Sequence, residues 1–511
     1  MIQQFSVICG SLSPDSKLPY RCLLSLAERW MAYRILYRSA VCKLLLSLLL
    51  LLDINPSQAF EPVQYKLSTA ATVGTGSLAP FWFHQGTDGT RLYKANAFHL
   101  DARLQSDYLN PDKILEIGYG MNTVFRAASD TADVIVSELY FKTRLYFLEL
   151  LVGSRPVRTG IEYEPLSSGG MLFSGNALPM PGLTAGFNRF VSVPFTFNML
   201  QLKGAISHSY FTDHVGFKNV MLHHKYVHFQ LGKPLPVRLQ YRFDHVAQWG
   251  GKSLIPGQAD QPSSFDDLKS IFMVKSGNET ATPDDQVNVL GNHLIGQSLK
   301  MEVETNRWLM TAYWQQILED KPFRFMGYTM NSPDGLWGIT FSTKKNTLLQ
   351  TVLYEYVSTT DQSGPYHDRD GIIYGGGDNY FVGFYPGGWT HHSHIIGTPF
   401  VKSPVFNPGM SIKSLVNRFK AHHIGLEGAF GNWSYRIKAS FMKSYAGNLF
   451  NGIPITQVQV HQQRYYFAET SYSSPHWENY SLGLALGIDR GTHTGNASGI
   501  QVSLRRSGFF H

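Results

Sequence analysis

Polar and apolar side chains alternate with a period of two along many stretches of this chain. In Val237-Arg238-Leu239-Gln240-Tyr241-Arg242-Phe243-Asp244 every odd position is apolar and every even position polar. Trp433, Tyr435, Ile437, Ala439 and Phe441 alternate with Ser434, Arg436, Lys438 and Ser440. Residues 98–104, 298–304 and 500–505 repeat the pattern. Successive side chains of a strand point to opposite faces, so each stretch predicts a strand with one apolar and one polar face. Such runs, separated by turn residues, amount to roughly 16–18 strands, within the range of membrane barrels. Gly431-Asn432 predicts a tight hairpin between 428 and 433, and Glu319-Asp320-Lys321-Pro322 predicts another between 318 and 323.

A soluble sandwich would also alternate, apolar side inward. Composition favours a membrane. The chain has 27 Tyr, 33 Phe and 9 Trp, while charged residues are only 16%, against a usual fraction of about 25%. After residue 60 no apolar run is long enough for a spanning helix. Large aromatics such as Trp433 and Phe441 fall on the apolar faces, as interface girdles require. The chain ends Ser507-Gly508-Phe509-Phe510-His511, an aromatic close beside the terminus of a final strand. The prediction is all-β: a transmembrane antiparallel barrel. Long polar stretches at 250–292 and 359–415 exceed hairpin turns. They predict loops or short helices that cap or enter the barrel.

All three cysteines, Cys9, Cys22 and Cys42, precede residue 60. Arg34, Arg38 and Lys43, a Leu-rich core at 44–52 and Ser57-Gln58-Ala59 read as a secretory signal peptide. Met31 would make a normal start for such a leader. The expected organisation is therefore a leader over 1–59, cleaved after Ala59, and one barrel domain over 60–511. Residues 1–59 hold six basic and three acidic side chains, so the remainder carries 38 against 34, a net +4. This mild excess suits an anionic ligand, and no basic tract points to nucleic acid.

Four segments, taken in order, resemble the capsule assembly Wzi family. They are Gly76-Ser77-Leu78-Ala79-Pro80-Phe81-Trp82, Leu166-Ser167-Ser168-Gly169-Gly170-Met171-Leu172-Phe173-Ser174-Gly175-Asn176, Tyr374-Gly375-Gly376-Gly377-Asp378-Asn379-Tyr380-Phe381, and Gly388-Trp389-Thr390-His391 followed by Ile396-Gly397-Thr398-Pro399. The resemblance runs over nearly all of 60–511. It implies an outer-membrane barrel of about 18 strands, occluded, with helical elements at the periplasmic end. It also implies a lectin that holds capsular polysaccharide at the cell surface, without enzymatic activity or cofactor. Outer-membrane lipid and the capsule export machinery are the further partners it brings. The family's sugar-contacting residues do not transfer position by position, so candidate sites rest on chemistry.

The stretch Asp370–Phe400 mixes glycines with aromatic rings. Tyr380 and Trp389 could cover the apolar faces of sugars, while Asp378, Asn379 and His391 could bond their hydroxyl rims. A packed plug, with glycines for turns and aromatics for self-packing, reads equally from the same residues. Arg238 and Arg242 fall on the polar face of their strand, where guanidinium forks could hold carboxylates or phosphates of an acidic polysaccharide. An internal ion-pair network would use the same arginines. In His391-His392-Ser393-His394 only His392 and His394 could share an ion locally, so no metal is expected. Two alternatives remain: a diffusion porin with a water-filled lumen, and a lipid hydrolase. The latter's best cluster, Ser207-His208-Ser209, spans both faces of a strand.

Overall fold

The predicted alternation becomes the wall of a closed barrel. A computed structural model describes residues 62–108, 113–287, 289–319, 334–345, 347–360, 362, 367–369, 372–374, 380–406, 416–445, 458–474, 476–477 and 479–510. Eighteen strands form one sheet in which every neighbouring pair is antiparallel. The first strand, Val63–Thr75, pairs with the last, Ala497–Phe510, from Val63↔Phe510 to Thr75↔Ser498. That pairing removes the sheet edges that would otherwise recruit other chains. The expected leader at 1–59 lies outside the described residues.

The faces follow the period-2 reading. Val237 and Leu239 are exposed, whereas Gln240, Arg242 and Asp244 on the other face are buried. The outward set is aliphatic at mid-wall, as with Leu484, Leu486, Val502 and Leu504. Phe430, Trp433, Tyr480, Phe509 and Phe510 lie exposed at the rim that carries the chain ends. This is the apolar band and aromatic girdle of a membrane barrel. Leu486 stands mid-strand on this band, and an arginine at mid-bilayer costs about 2–4 kcal/mol, falling to about 0–1 near the interfaces. Leu486→Arg should therefore remove most of the heat-modifiable folded species, and Leu239→Arg, close to its strand's start, far less. Equal losses at the two positions would place the apolar band elsewhere.

The longest connections all lie at one rim. At the rim bearing Val63 and Phe510 the connections are short, as with Gly431-Asn432 between Arg418–Phe430 and Trp433–Tyr445, the hairpin the sequence predicted. The expected turn at 318–323 differs. The strand pairing with Trp308–Glu319 is Gly335–Thr343, and residues 320–333 lie outside the described residues. At the opposite rim four connections are long, 76–96, 155–180, 250–291 and 359–417, while 129–130 and 492–496 are short. Short turns are periplasmic and long loops extracellular in such barrels. The described helices, Phe81–His84, Phe265–Met273 and Pro283–Val287, all belong to the long connections. Helices at the periplasmic end, which the family resemblance led us to expect, are not found among the described residues.

Three of these connections fold inward. Phe81, Trp82, Ile161, Met171, Leu172, Phe173, Tyr380, Phe381, Trp389, Ile396 and Phe400 form one buried apolar cluster with inward side chains such as Val246, Leu294, Tyr313 and Tyr465. They plug the lumen near the extracellular rim. The 250–291 connection behaves differently from the expected cap. Its helix Phe265–Met273 begins at a Ser264/Asp267 capping box. Ile271 and Leu268 then pack on Ala247, Trp249 and Met221, which share the outward face with Leu239. Phe265 and Met273 of this helix remain exposed.

Candidate functional site

The plug is assembled from the conspicuous sequence motifs. Trp389 Nε1 donates to Leu172 O at 2.9 Å, and its ring meets Phe173 edge-on at 5.8 Å. Ser174 N donates to Ile396 O at 3.0 Å and Thr398 N to Met171 O at 3.2 Å. Phe81 stacks on Tyr465 at 4.0 Å and on Phe400 at 5.9 Å. Segments far apart in the chain thus satisfy one another's backbone groups inside the barrel, as buried polar groups require.

One wall residue anchors this plug. Glu355, fully buried, accepts from Ser167 Oγ at 2.6 Å, Ser168 N at 2.7 Å, Ser168 Oγ at 2.6 Å and Tyr313 OH at 2.5 Å. Tyr313 reaches Glu355 by lying across Gly338, its partner on the intervening strand. A Cβ at Gly338 would stand 2.1 Å from Tyr313 Cζ. Lys438 Nζ, over the Trp82 ring at 4.7 Å, donates to Ser167 O at 3.2 Å. Nothing in local sequence marked Ser167 and Ser168 as ligands of a carboxylate across the barrel.

Several residues expected at a sugar site are part of this packing. Tyr380 and Trp389 are 1% and 0% exposed, so their rings have no free face. His391 is buried too: Nδ1 donates to Leu178 O at 2.8 Å and Nε2 accepts from Thr212 N at 3.2 Å. Burial pushes its pKa down to about 3. Asp378 and Asn379 lie outside the described residues. The hairpin Thr390–His391/His394–Ile395 turns through His392 and Ser393, both at positive φ. No group of three metal-ligating side chains occurs among the described residues. Ser207 and Ser209 face the lumen while His208 faces outward beside Trp249, so the hydrolase-like cluster does not converge.

Open volume lies inside the barrel around the plug. Two chambers of about 460 Å³ each meet at Arg158, Val157, Phe173 and Gly175. Arg158 bonds Asp88 with both Nη atoms, at 2.9 and 2.7 Å, and stands between them. The first chamber is lined by Arg103, Arg155, Arg158, Lys203 and Arg242 against Asp88 and Glu138. The second has Arg91, Arg158, Arg436, Lys438 and Arg505 against Glu162, Glu164 and Glu469. Both are cationic in excess.

The two predicted arginines separate here. Arg238 is engaged with Glu302 at 3.1 Å and Glu304 at 2.5 Å and does not line a chamber. This is the ion-pair network. Arg242 lines the first chamber. Its Nε and Nη2 bond Asp244, both at 2.7 Å, and its guanidinium lies 3.9 Å from the Tyr226 ring centroid. Its Nη1 is buried without a hydrogen-bond partner. Arg155, over Tyr140 at 5.1 Å, and Lys203, near Phe190, make no ion pair among the described residues. Sequence alone did not single out these two cations, because neither Arg155, in a connection, nor Lys203 is set apart by its neighbours.

The family model for the capsule assembly protein Wzi matches residues 87–402. Among solved structures, Wzi of Escherichia coli is titled an outer-membrane, carbohydrate-binding β-barrel involved in group 1 capsule assembly. It shares 13% identity, with 87% of this chain aligned to 84% of that one at a TM-score of 0.53. OccK5 of Pseudomonas aeruginosa aligns over 88% of this chain and 98% of its own, at 8% identity and a TM-score of 0.46. OccAB2 of Acinetobacter baumannii covers the same shares at 9% identity and 0.46. No curated protein sequence matches the chain. The matched region runs over more than half of the chain and takes in the plug segments 155–180 and 380–401, and this outer-membrane barrel belongs to the Wzi capsule assembly family.

Proposed function

We propose that this barrel binds an acidic capsular polysaccharide and holds it at the cell surface, with the cationic lumenal chambers as the contact surface. The observation that carries this reading is the first chamber: five cations face two carboxylates, Arg242 Nη1 has no hydrogen-bond partner among the described residues, and Arg155 and Lys203 make no ion pair among them. Unsatisfied buried donors are costly, and guanidinium groups favour carboxylate acceptors. Tyr140 and Tyr226 line the same chamber and carry two of these cations on their rings, Arg155 at 5.1 Å and Arg242 at 3.9 Å. Tyr380, Trp389 and His391 contribute by shaping the plug. The role is one of binding rather than catalysis, and the capsule export machinery is the partner that would supply the polymer.

The test uses Arg155→Gln together with Lys203→Gln. Purified barrel should lose about thirtyfold in affinity for acidic polysaccharide if two charge-assisted contacts of roughly 1 kcal/mol each are removed. Binding by the wild type should weaken with salt as the Debye length shrinks, and cells carrying the variant should shed capsule while folded barrel stays constant. Unchanged binding and retention would remove this chamber from the site. A large steady conductance of the wild-type barrel would favour the porin alternative.

A further inference from the structure

The outer face of the barrel carries a few scattered cations, and four more gather on one patch of it. On the outward positions of the eighteen strands there is no Asp or Glu. Lys420, Lys443, Arg464 and Arg490 are outward and exposed. They occupy four consecutive strands of the wall, Arg418–Phe430, Trp433–Tyr445, Val460–Tyr472 and Tyr480–Gly491. All four lie within a few residues of the strand ends at the extracellular rim.

Register brings them together as like-charged pairs. Lys420 is the direct cross-strand partner of Lys443, and Arg464 of Arg490. Phe441 bridges the sets, being the partner of both His422 and Arg464. Directly opposed like charges destabilise a sheet, and none of the four forms an ion pair among the described residues. At this rim the connection 446–459, which joins the second and third of these strands, and 492–496, after the last of them, contain no acidic residue. Arg490 Nη1 is tethered to Asp489 O at 2.8 Å. The sheet thus carries a repulsive cluster that no acidic side chain among the described residues pairs with.

What lies below the cations is equally specific. Phe441 and Tyr466 meet edge-on at 5.9 Å one step further into the membrane. Beneath them, Ile424, Ile437, Leu484, Leu486 and Ile488 make a continuous aliphatic strip. A ligand that satisfies both halves has several anionic groups at the headgroup level and acyl chains beneath. We propose that this patch is a binding site for a phosphorylated glycolipid of the outer leaflet. Its phosphates would sit between Lys420/Lys443 and Arg464/Arg490, with its chains along the aliphatic strip. Arg and Lys both serve phosphate, Arg through its bidentate fork. The inference is independent of the polysaccharide reading, because these residues face away from the lumen.

The experiment titrates full barrel in detergent with a bisphosphorylated acyl-disaccharide lipid, following lipid-bound species by native mass spectrometry. The variant is K420Q/K443Q/R464Q/R490Q, with K443Q/R464Q as the milder form should the first fail to show heat-modifiable folding. The control is R189Q/R506Q, which removes outward cations at the opposite rim. Wild type and control should bind alike, and the patch variant about tenfold or more weakly, since each exposed charge contact adds a modest part. The dephosphorylated lipid should bind wild type as weakly as the intact lipid binds the variant. Millimolar inorganic phosphate should not compete, because it lacks the chains. Affinity within twofold for the patch variant, equal binding of the dephosphorylated lipid, or full competition by phosphate would each overturn the proposal.

Discussion

Glu355→Ala should open the plug while leaving the barrel folded. The wild-type carboxylate gathers two serine hydroxyls, one backbone N–H and one phenol in a site without solvent. Truncation leaves those donors buried and unsatisfied, at about 1–3 kcal/mol each, and the losses are not simply additive. It also removes one of the carboxylates, with Glu469 and Glu427, whose charge favours the buried Lys438 ammonium. The other polar ties of the 155–180 segment to this side of the wall are dispersed rather than gathered on one group: Met171 N donates to Gln315 Oε1 at 2.9 Å, Gln315 Nε2 to Glu162 at 2.8 Å, His423 Nε2 to Leu166 O at 2.7 Å, Lys438 Nζ to Ser167 O and Arg436 Nη1 to Pro165 O at 3.2 Å each, and Tyr163 OH to Glu427. The eighteen-strand ladder does not pass through Glu355's side chain. Heat-modifiable folding should therefore survive while single-barrel conductance rises and protease cuts within 155–180. Glu355→Gln, which keeps one acceptor oxygen, should fall between. Wild-type conductance and protease resistance in Glu355→Ala would show that the apolar packing alone holds the plug.

This anchor was not legible in the sequence, and the reason is physical. Strand patterning is readable where one face meets lipid and the other meets water or charge, as in 237–244. Thr351–Ser358, with the sequence TVLYEYVS, is apolar on both faces because lipid lies outside and the plug inside. Glu355 is its one charged residue, and the partners it holds are Tyr313, two strands away, and Ser167 and Ser168, 188 and 187 residues away in chain order. The same cause hid the role of the glycine- and aromatic-rich segment. Tyr380 and Trp389 carry the residue types of a sugar platform, and the packed-plug reading used those residues equally well. Burial decides in favour of packing for these two rings. Charges were better guides to face than to function. Arg238 and Arg242 share a strand face, as predicted, yet Arg238 is absorbed in an ion-pair ladder and Arg242 reaches a chamber. The helix Phe265–Met273 could be read as a short helix, but its place on the outer wall depends on which strand ends it spans.

Acid should loosen the plug. His84, His391 and His394 are buried in it, and burial holds their pKa values down to about 3, 3 and 4. Among the described residues no carboxylate stabilises their charged forms. His84 faces His394 and the Phe406 ring, His391 faces His392 and His214, and His394 faces His392, with Arg126 farther off but bonded to Asp133. Asp213 approaches only His392, at 3.8 Å. In the released plug these imidazoles meet water and titrate near 6.5. Above that pH both states are neutral and the plug has its full stability. As pH falls below 6.5 the released state takes up protons that the packed state refuses until about pH 4 to 3. Stability therefore falls with pH across that window. The slope is about 1.4 kcal/mol per pH unit for each histidine, so about 4 kcal/mol per unit for three acting together. Glu164, whose pKa is raised by burial, works in the opposite direction because its packed form is the better proton acceptor. The histidines outnumber it. Conductance of single barrels, measured from pH 7.5 to 4.5, should rise steeply below pH 6 and recover on return to neutral pH. Replacing His391 with Gln, which cannot take up the proton, should flatten the transition. A conductance that stays constant to pH 4.5, or a His391→Gln transition as steep as wild type, would mean that these histidines stay packed and neutral regardless of pH.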